Sequence, residues 1–209
     1  MTLRLLLMRH GETDDNAAGR AQGRRDVPLN ARGRAQAAVV GESLRGATLV
    51  AVVSSTASRA LDVAEAIAAH HDLPVETDER LTELDQGEFD GMLIADMRER
   101  YADFLRQWRD EDPADLRMPG GETMREAQTR MVAACTELVG RYDGEEVVVV
   151  SHNLALRALL CHALGVPLAA FRRFHHDLAA LSVVEARLDE PWSVVSLNER
   201  CRLPAEEEA

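Results

Sequence analysis

Two histidines, two arginines and a group of loop carboxylates are the residues of this chain whose types and spacing could do chemistry. Arg9 and His10 stand side by side at the end of the apolar run Leu5-Leu6-Leu7-Met8, and Gly11 follows them. Arg59 comes shortly after a second apolar run, Leu49 to Val53, and His152 follows the unbroken valines Val147 to Val150 and Ser151. An arginine offers a planar fork of donors to phosphate oxygens. A neutral imidazole nitrogen is a nucleophile near neutral pH. Together they form a device for holding and attacking a phosphoryl group, and glycine beside them lets backbone and ligand approach closely. Such a transfer also needs a proton donor for the leaving oxygen. Glu83, in the loop Leu81-Thr82-Glu83-Leu84-Asp85-Gln86-Gly87, is the best placed carboxylate; Glu12, Asp85 and Glu88 compete, and position alone does not choose among them.

These residues need elements to bring them together. Residues 3–8 read as a buried strand, 12–29 as a polar loop, and Asn30 as the N-cap of a helix reaching about Arg45. Leu49 to Val53 is a second strand. Ser54-Ser55-Thr56 then caps a helix through about His70, and Pro74 to Thr77 is a short third strand. Residues 80–91 read as loop with extended pieces, Met92 to about Asp110 as a helical segment, and Glu111 to Gly121 as loop. Thr123 to Tyr142 is a long amphipathic helix, Val147 to Val150 a central strand, and Asn153 to Leu164 a helix ending at Gly165. Ser182 to Val184 and Trp192 to Leu197 close the sheet with a turn near Asp189. Strands alternating with helices give an α/β three-layer sandwich, a mostly parallel central sheet with helices on both faces. Residues just past the strand C-termini converge on one edge of such a sheet. Arg9-His10, Arg59 and Ser151-His152 occupy three such places. Helix N-termini at Thr56 and Asn153 are expected to add backbone donors.

The bulk composition narrows the field further. The chain has 209 residues, 46% hydrophobic and 29% charged, which suits one domain over 1–203 with a frayed acidic tail at 204–209. A formal charge of -12 argues against a nucleic-acid or anionic-membrane partner. Every cationic side chain is arginine, so Walker-lysine, Schiff-base and lysine general-base mechanisms are excluded. Cys135, Cys161 and Cys201 are odd in number and widely spaced, hence neither a disulfide framework nor a zinc motif. With no apolar run of membrane-spanning length and no secretory pattern, the expected location is cytoplasmic. His70-His71 and His175-His176 raise a metal reading, but adjacent residues point different ways on a helix or strand. Solvated side chains are expected there instead. Tyr101, Phe104 and Trp108 read as a core-facing helix stripe or as part of a lid, over 90–121, that selects the leaving group. Arg157 reads as a structural ion-pair partner.

Taken in order, the blocks Arg9-His10-Gly11-Glu12-Thr13 with Asn16, Gly19-Arg20, Gln22-Gly23 and Pro28-Leu29-Asn30 with Gly33 and Gln36 resemble the histidine phosphatase superfamily, the phosphoglycerate mutase-like proteins. Ser54-Ser55 with Arg59-Ala60, Glu83-x-x-x-Gly87-x-x-x-Gly91, Gly120-Gly121-Glu122-Thr123 and Ser151-His152 with Arg157-Ala158-Leu159-Leu160 look like its later blocks. The resemblance implies a metabolite phosphatase in which His10 becomes a phosphohistidine and Arg9, Arg59 and His152 complete the phosphate pocket. It implies that Glu83 protonates the leaving group and then takes a proton from water, and that Asn16, Gln22 and Gly23 lie at the rim. It implies neither a metal nor an organic cofactor, and a small phosphorylated metabolite as partner; a homodimer stays open. Asn153 stands where the family usually has glycine, and an adjusted phosphate pocket is expected from it. Thr56-Ala57 and Asp14-Asp15 also depart from the usual pattern. Arg9 and Arg59 should lower the pKa of His10 and keep it neutral, while bound phosphate holds His152 protonated. A phosphoglycerate mutase is the second reading, against which the short chain argues. A catalytically silent phospho-ligand-binding homologue is the third.

Overall fold

The computed structural model describes residues 2–200; the acidic tail and Cys201 lie outside the described residues. Strand β1 (Leu3–Arg9) is followed by the short helix α1 (Asp14–Ala17) and by α2 (Ala31–Leu44). Next come β2 (Leu49–Ser54), α3 (Ser58–Ala68) and β3 (Val75–Thr77), then α4 (Ile94–Arg100) and α5 (Ala102–Asp110). Helix α6 (Met124–Arg141), β4 (Glu146–Ser151), α7 (Asn153–Ala163), β5 (Ala180–Ala186) and β6 (Ser193–Arg200) complete the order. The six strands form one sheet in the order β3-β2-β4-β1-β5-β6. β3, β2, β4 and β1 run parallel, β5 pairs antiparallel with β1, and the edge strand β6 pairs antiparallel with β5.

Alternation along the strands builds two cores. Leu3, Leu5, Leu7, Val147 and Val149 pack with Met131, Leu138, Leu156 and Leu160 from α6 and α7. Leu6, Met8, Val148 and Val150 face the other way, onto Val40, Val63 and Ile67 of α2 and α3. A strand buried on both faces reads as a continuous apolar run, which is why β1 and β4 show no polar alternation. The expected three-layer α/β sandwich is therefore the observed one, with β4 interior as its valines suggested.

Several local expectations need correction. Residues 12–29 contain α1, closed by a capping box between Thr13 and Asn16, two residues ordinarily counted as loop formers. Helix α3 starts later than expected, with Ala57 as N-cap and no side-chain cap. Ser55 and Thr56 are thus outside it, and the Ser55 hydroxyl is engaged elsewhere. The segment 92–110 is two helices, broken at Tyr101 (φ -123°, ψ 34°). Residues 79–81 and 87–89 are single 3₁₀ turns rather than extended pieces. The Asn30 cap and the helix end before Gly165 stand as expected; Thr123 in addition closes a capping box with Glu126, and Gly165 has a positive φ.

Candidate active site

The parallel strands β1, β2 and β4 end on one edge of the sheet, and the register pairs Arg9 with Ser151. That adjacency brings His10 and His152 to a ring-centroid separation of 5.1 Å, at 55° to one another. Both are buried. The His10 Nδ1 lies 2.7 Å from the Gly11 carbonyl oxygen, so Nδ1–H donates and Nε2 keeps its lone pair. His10 faces a cavity of about 910 Å³ that Arg9, Asn16, Gln22, Glu83 and Asn153 also line. Its pKa lies well below the usual imidazole range because burial disfavours the cation and Arg59 and Arg9 repel it. A neutral ring with a free Nε2 is the state a nucleophile requires.

His152 holds the second imidazole place. Its Nε2 is 2.7 Å from Ser55 Oγ, while Nδ1 is buried with no partner among the described residues. Burial and then Arg59, His10 and Arg9 drive its pKa down as well, so without an anion neither ring is charged. The expected split between the two rings therefore needs a bound dianion to create it.

Arg9 and Arg59 are held by backbone carbonyls rather than carboxylates. Arg9 Nη1 donates to the His176 carbonyl at 2.7 Å, and Arg59 donates to Arg25 and Gly23 carbonyls, each at 2.8 Å. The Nε of each is buried and has no partner among the described residues. Burial lowers the Arg9 pKa to about 10, still far above neutrality. Arg59 and His152 line a second cavity of about 470 Å³, and Glu83 borders both cavities. Carbonyl partners fix a guanidinium without neutralising it, so both arginines keep their charge for an anion.

The buried carboxylate of Glu83 sits on the N-terminus of α7. Its Oε1 accepts from Leu84, Leu154 and Ala155 amides at 2.8, 3.1 and 3.0 Å, and Oε2 accepts from Leu154 at 3.1 Å. The helix N-terminus at Asn153 thus holds Glu83, where the sequence suggests donors for an external anion. Glu12, Asp85 and Glu88, the competing carboxylates, are engaged with Asn30, the Gly87 amide and Tyr101 respectively. At the cavity wall, Gln22 Oε1 accepts from Thr13 and Asn16, and the buried Gln22 Nε2 has no partner among the described residues. Gly23 has both backbone groups in use: its amide donates to Asp90 and its carbonyl accepts from Arg59.

Three contributors are not visible in the sequence. Ser55 reads there as a helix cap and instead meets His152. Arg130, two turns into α6, donates to the carbonyls of Arg80, Thr82 and Glu83 and pairs with Glu122 at 2.8 Å, pinning the Glu83 loop. Its eight-residue offset from the Gly-Gly-Glu-Thr block is the signal that could have found it. His176, expected to be solvated, is buried, and its pKa is pushed down to about 4 by burial and Arg9. His175 is exposed and His70 half-buried. Among the described residues Arg157 has no carboxylate partner; it donates to the Phe171 carbonyl and lies over that ring. Cys135 and Cys161 are buried free thiols. Among the described residues, no three of His, Cys, Asp and Glu gather as metal ligands, and no helix is long and apolar enough to cross a membrane.

Residues 5–200 match the model of the histidine phosphatase superfamily (branch 1). The chain is similar to phosphoserine phosphatase 1 of Hydrogenobacter thermophilus, at 35% identity over 96% of this chain and 94% of that one. It is also similar to the probable phosphoglycerate mutase GpmB of Proteus mirabilis, at 37% identity over 91% and 87%. Among solved structures, the mycobacterial glucosyl-3-phosphoglycerate phosphatase superposes with a TM-score of 0.86, 27% identity, and coverage of 95% and 100%.

Proposed function

Because this chain belongs to the histidine phosphatase superfamily, branch 1, we propose that it hydrolyses a small phosphorylated metabolite through a phosphohistidine on His10. One observation carries the reading. A buried imidazole with Nδ1 tied to a carbonyl and Nε2 free stands 5.1 Å from a second buried imidazole, beside the half-buried Arg9 and the buried Arg59, whose buried Nε atoms have no partner among the described residues. Unpartnered buried donors cost stability, roughly 1–3 kcal/mol each, so such a cluster is useful when an oxyanion fills it. The His10 Nε2 lone pair attacks phosphorus and the P–O bond to the alcohol breaks. The leaving oxygen takes a proton from Glu83, whose Oε2 is the oxygen less occupied by amides. Water then attacks the phosphohistidine, gives its proton back to Glu83, and the P–N bond breaks to free His10. Arg9, Arg59 and His152 meet the charge on the equatorial oxygens. Asn16, Gln22 and Asn153 bind at the rim, and Gly23 acts through Arg59, whose fork its carbonyl holds. No step calls on a metal or an organic cofactor.

The test is phosphate release from p-nitrophenyl phosphate with EDTA present, combined with trapping of an acid-labile phosphoenzyme. Wild type should release phosphate and trap label, and His10→Ala should do neither; turnover abolished by EDTA would overturn the reading. The 37% identity to a probable phosphoglycerate mutase favours one second reading. Incubation with 3-phosphoglycerate separates the two, since a mutase gives 2-phosphoglycerate and a phosphatase gives free phosphate.

A further inference from the structure

The segment 174–179, which leads into β5, is fastened to the end of β1 by two bonds. Arg9 Nη1 donates to the His176 carbonyl at 2.7 Å, and the Ala179 amide donates to the His10 carbonyl at 3.0 Å. Ala179 holds a positive φ of 54°, a costly angle for a residue with a Cβ. Asp177 stands between these anchors and lines the cavity that His10 faces. A carboxylate in that place threatens an anion site. Burial lowers the Arg9 pKa, and Glu83 and then Asp177 oppose the fall by attracting its charge. Asp177 is thus close enough to draw on Arg9, yet no ion pair joins the two among the described residues; its carboxylate is paired with Arg200 instead.

The restraint comes from the edge strand β6. Leu181 pairs with Glu199 but Val183 with Ser196, so β6 carries one extra residue between those pairs. Asn198 sits in this bulge at φ 56°, a left-handed angle that asparagine tolerates better than most residues. Its backbone amide donates to the buried Ser182 Oγ at 3.1 Å. Bulges re-aim side chains, and this one turns Asn198 onto Asp177. Asn198 Oδ1 accepts from the Asp177 amide at 2.7 Å, and Nδ2 donates to Asp177 Oδ2 at 2.8 Å. Arg200 Nε donates to the same oxygen at 2.7 Å.

We propose that Asn198 and Arg200 are positioning residues: by clasping Asp177 they stop its carboxylate from competing with the substrate phosphate for Arg9. This rests on the phosphatase reading above and deepens it. A carboxylate released beside a half-buried guanidinium would pair with it, and phosphate would then have to displace it. With the clasp closed, the buried Arg9 Nε has no partner among the described residues and stays available to an oxyanion.

The experiment measures binding of inorganic phosphate by calorimetry, with kcat/KM on p-nitrophenyl phosphate beside it. Asn198→Gly opens the clasp while glycine keeps the positive φ without strain. Phosphate should bind about 10-fold more weakly, the weight of one charge-assisted hydrogen bond. Adding Asp177→Asn should restore binding to within about 2-fold of wild type, because a neutral amide no longer competes for Arg9. In kcat/KM, Asn198→Gly should have no further effect in an Arg9→Ala background and its full effect in an Arg59→Ala background. Arg200→Gln, at an exposed position, is the second variant should Asn198→Gly not fold; it should weaken phosphate binding in the same direction and be repaired by the same Asp177→Asn change. A merely structural clasp predicts that Asp177→Asn deepens the loss. That outcome, or unchanged phosphate affinity in both single variants, would overturn the proposal and leave the phosphatase reading standing. A wild type that neither binds phosphate nor releases it from p-nitrophenyl phosphate would overturn both.

Discussion

At the scale of single residues, environment separates reactive groups from ordinary ones. His10 and His175 are both histidines in this chain, but one is buried between arginines with its Nδ1 tied down and the other is exposed. Replacing His10 by alanine should remove the acceptor of the phosphoryl group and lower kcat by about 10³-fold or more, as expected for a nucleophile; steady-state phosphate release reads this directly. The lowered pKa of His10 has a consequence for pH dependence. In the proposed mechanism the neutral ring attacks, so protonation of His10 becomes inhibitory only below the ordinary imidazole value of 6.5, and the acid limb of kcat/KM that it sets should lie below that value. His152 has the same depressed pKa in the empty site, set by burial and Arg59. A phosphate dianion reverses the sign of its surroundings. Binding of inorganic phosphate or vanadate near pH 7 should therefore draw in a proton, measurable by calorimetry in buffers of different ionisation heat and absent in His152→Ala. Arg9, His10, Arg59 and His152 could be singled out in the sequence by their places just past apolar strand runs, whereas Glu83 stayed one of four loop carboxylates until the family resemblance distinguished it. Ser55 could not, since a serine between a strand and a helix ordinarily caps the helix.

At the scale of elements, the site depends on close approaches that a side chain would prevent. A Cβ added to Gly33 in α2 would come within 2.1 Å of the Glu12 carbonyl oxygen, and one added to Gly11 within 2.7 Å of the Gly33 oxygen. The loop after β1 is thereby laid directly on α2, which sets the direction in which His10 leaves the strand. Gly33→Ala should lower stability by about 2 kcal/mol or more, the magnitude of a forced backbone shift, seen as a drop in Tm. Helix α7 does a different task, presenting its first amides to Glu83. In Glu83→Gln the amide oxygen can still accept those bonds, so the fold should persist while proton donation is lost. Activity on alkyl phosphates should fall by about 10²-fold or more, and on p-nitrophenyl phosphate, which leaves without a proton, by much less. The break at Tyr101 between α4 and α5 was hidden in the sequence. The spacing of Tyr101, Phe104 and Trp108 is helical throughout, and only packing on Phe89 shows where the axis turns.

At the scale of the whole molecule, the sheet order decides which strand ends meet. β4 lies between β1 and β2 although it begins at Glu146, far along the chain from the ends of β1 at Arg9 and β2 at Ser54, a crossover placement familiar in parallel sheets. Burial at that edge also couples stability to pH. His10, His152 and His176 have folded pKa values below the ordinary value of 6.5, with His176 near 4. Below that ordinary value the unfolded chain binds protons that the folded chain refuses, so stability is fully present above about pH 6.5 and is lost as pH falls towards the folded pKa values. Chemical denaturation should show ΔG declining from about pH 7 to about pH 5, with a shallower slope in His176→Leu if the leucine refills the space of that ring. By itself the sequence determined the strands and the long helices, because apolar runs, caps and glycines act over a few residues, and it determined which side chains could do phosphoryl chemistry. The tertiary structure alone decided that the α7 N-terminus is spent on Glu83, that His176 is buried behind Arg9, and that Phe104 and Trp108 of α5 stand half-buried along the cavity. Those facts depend on which surfaces meet across long chain separations, and local propensity carries no record of them.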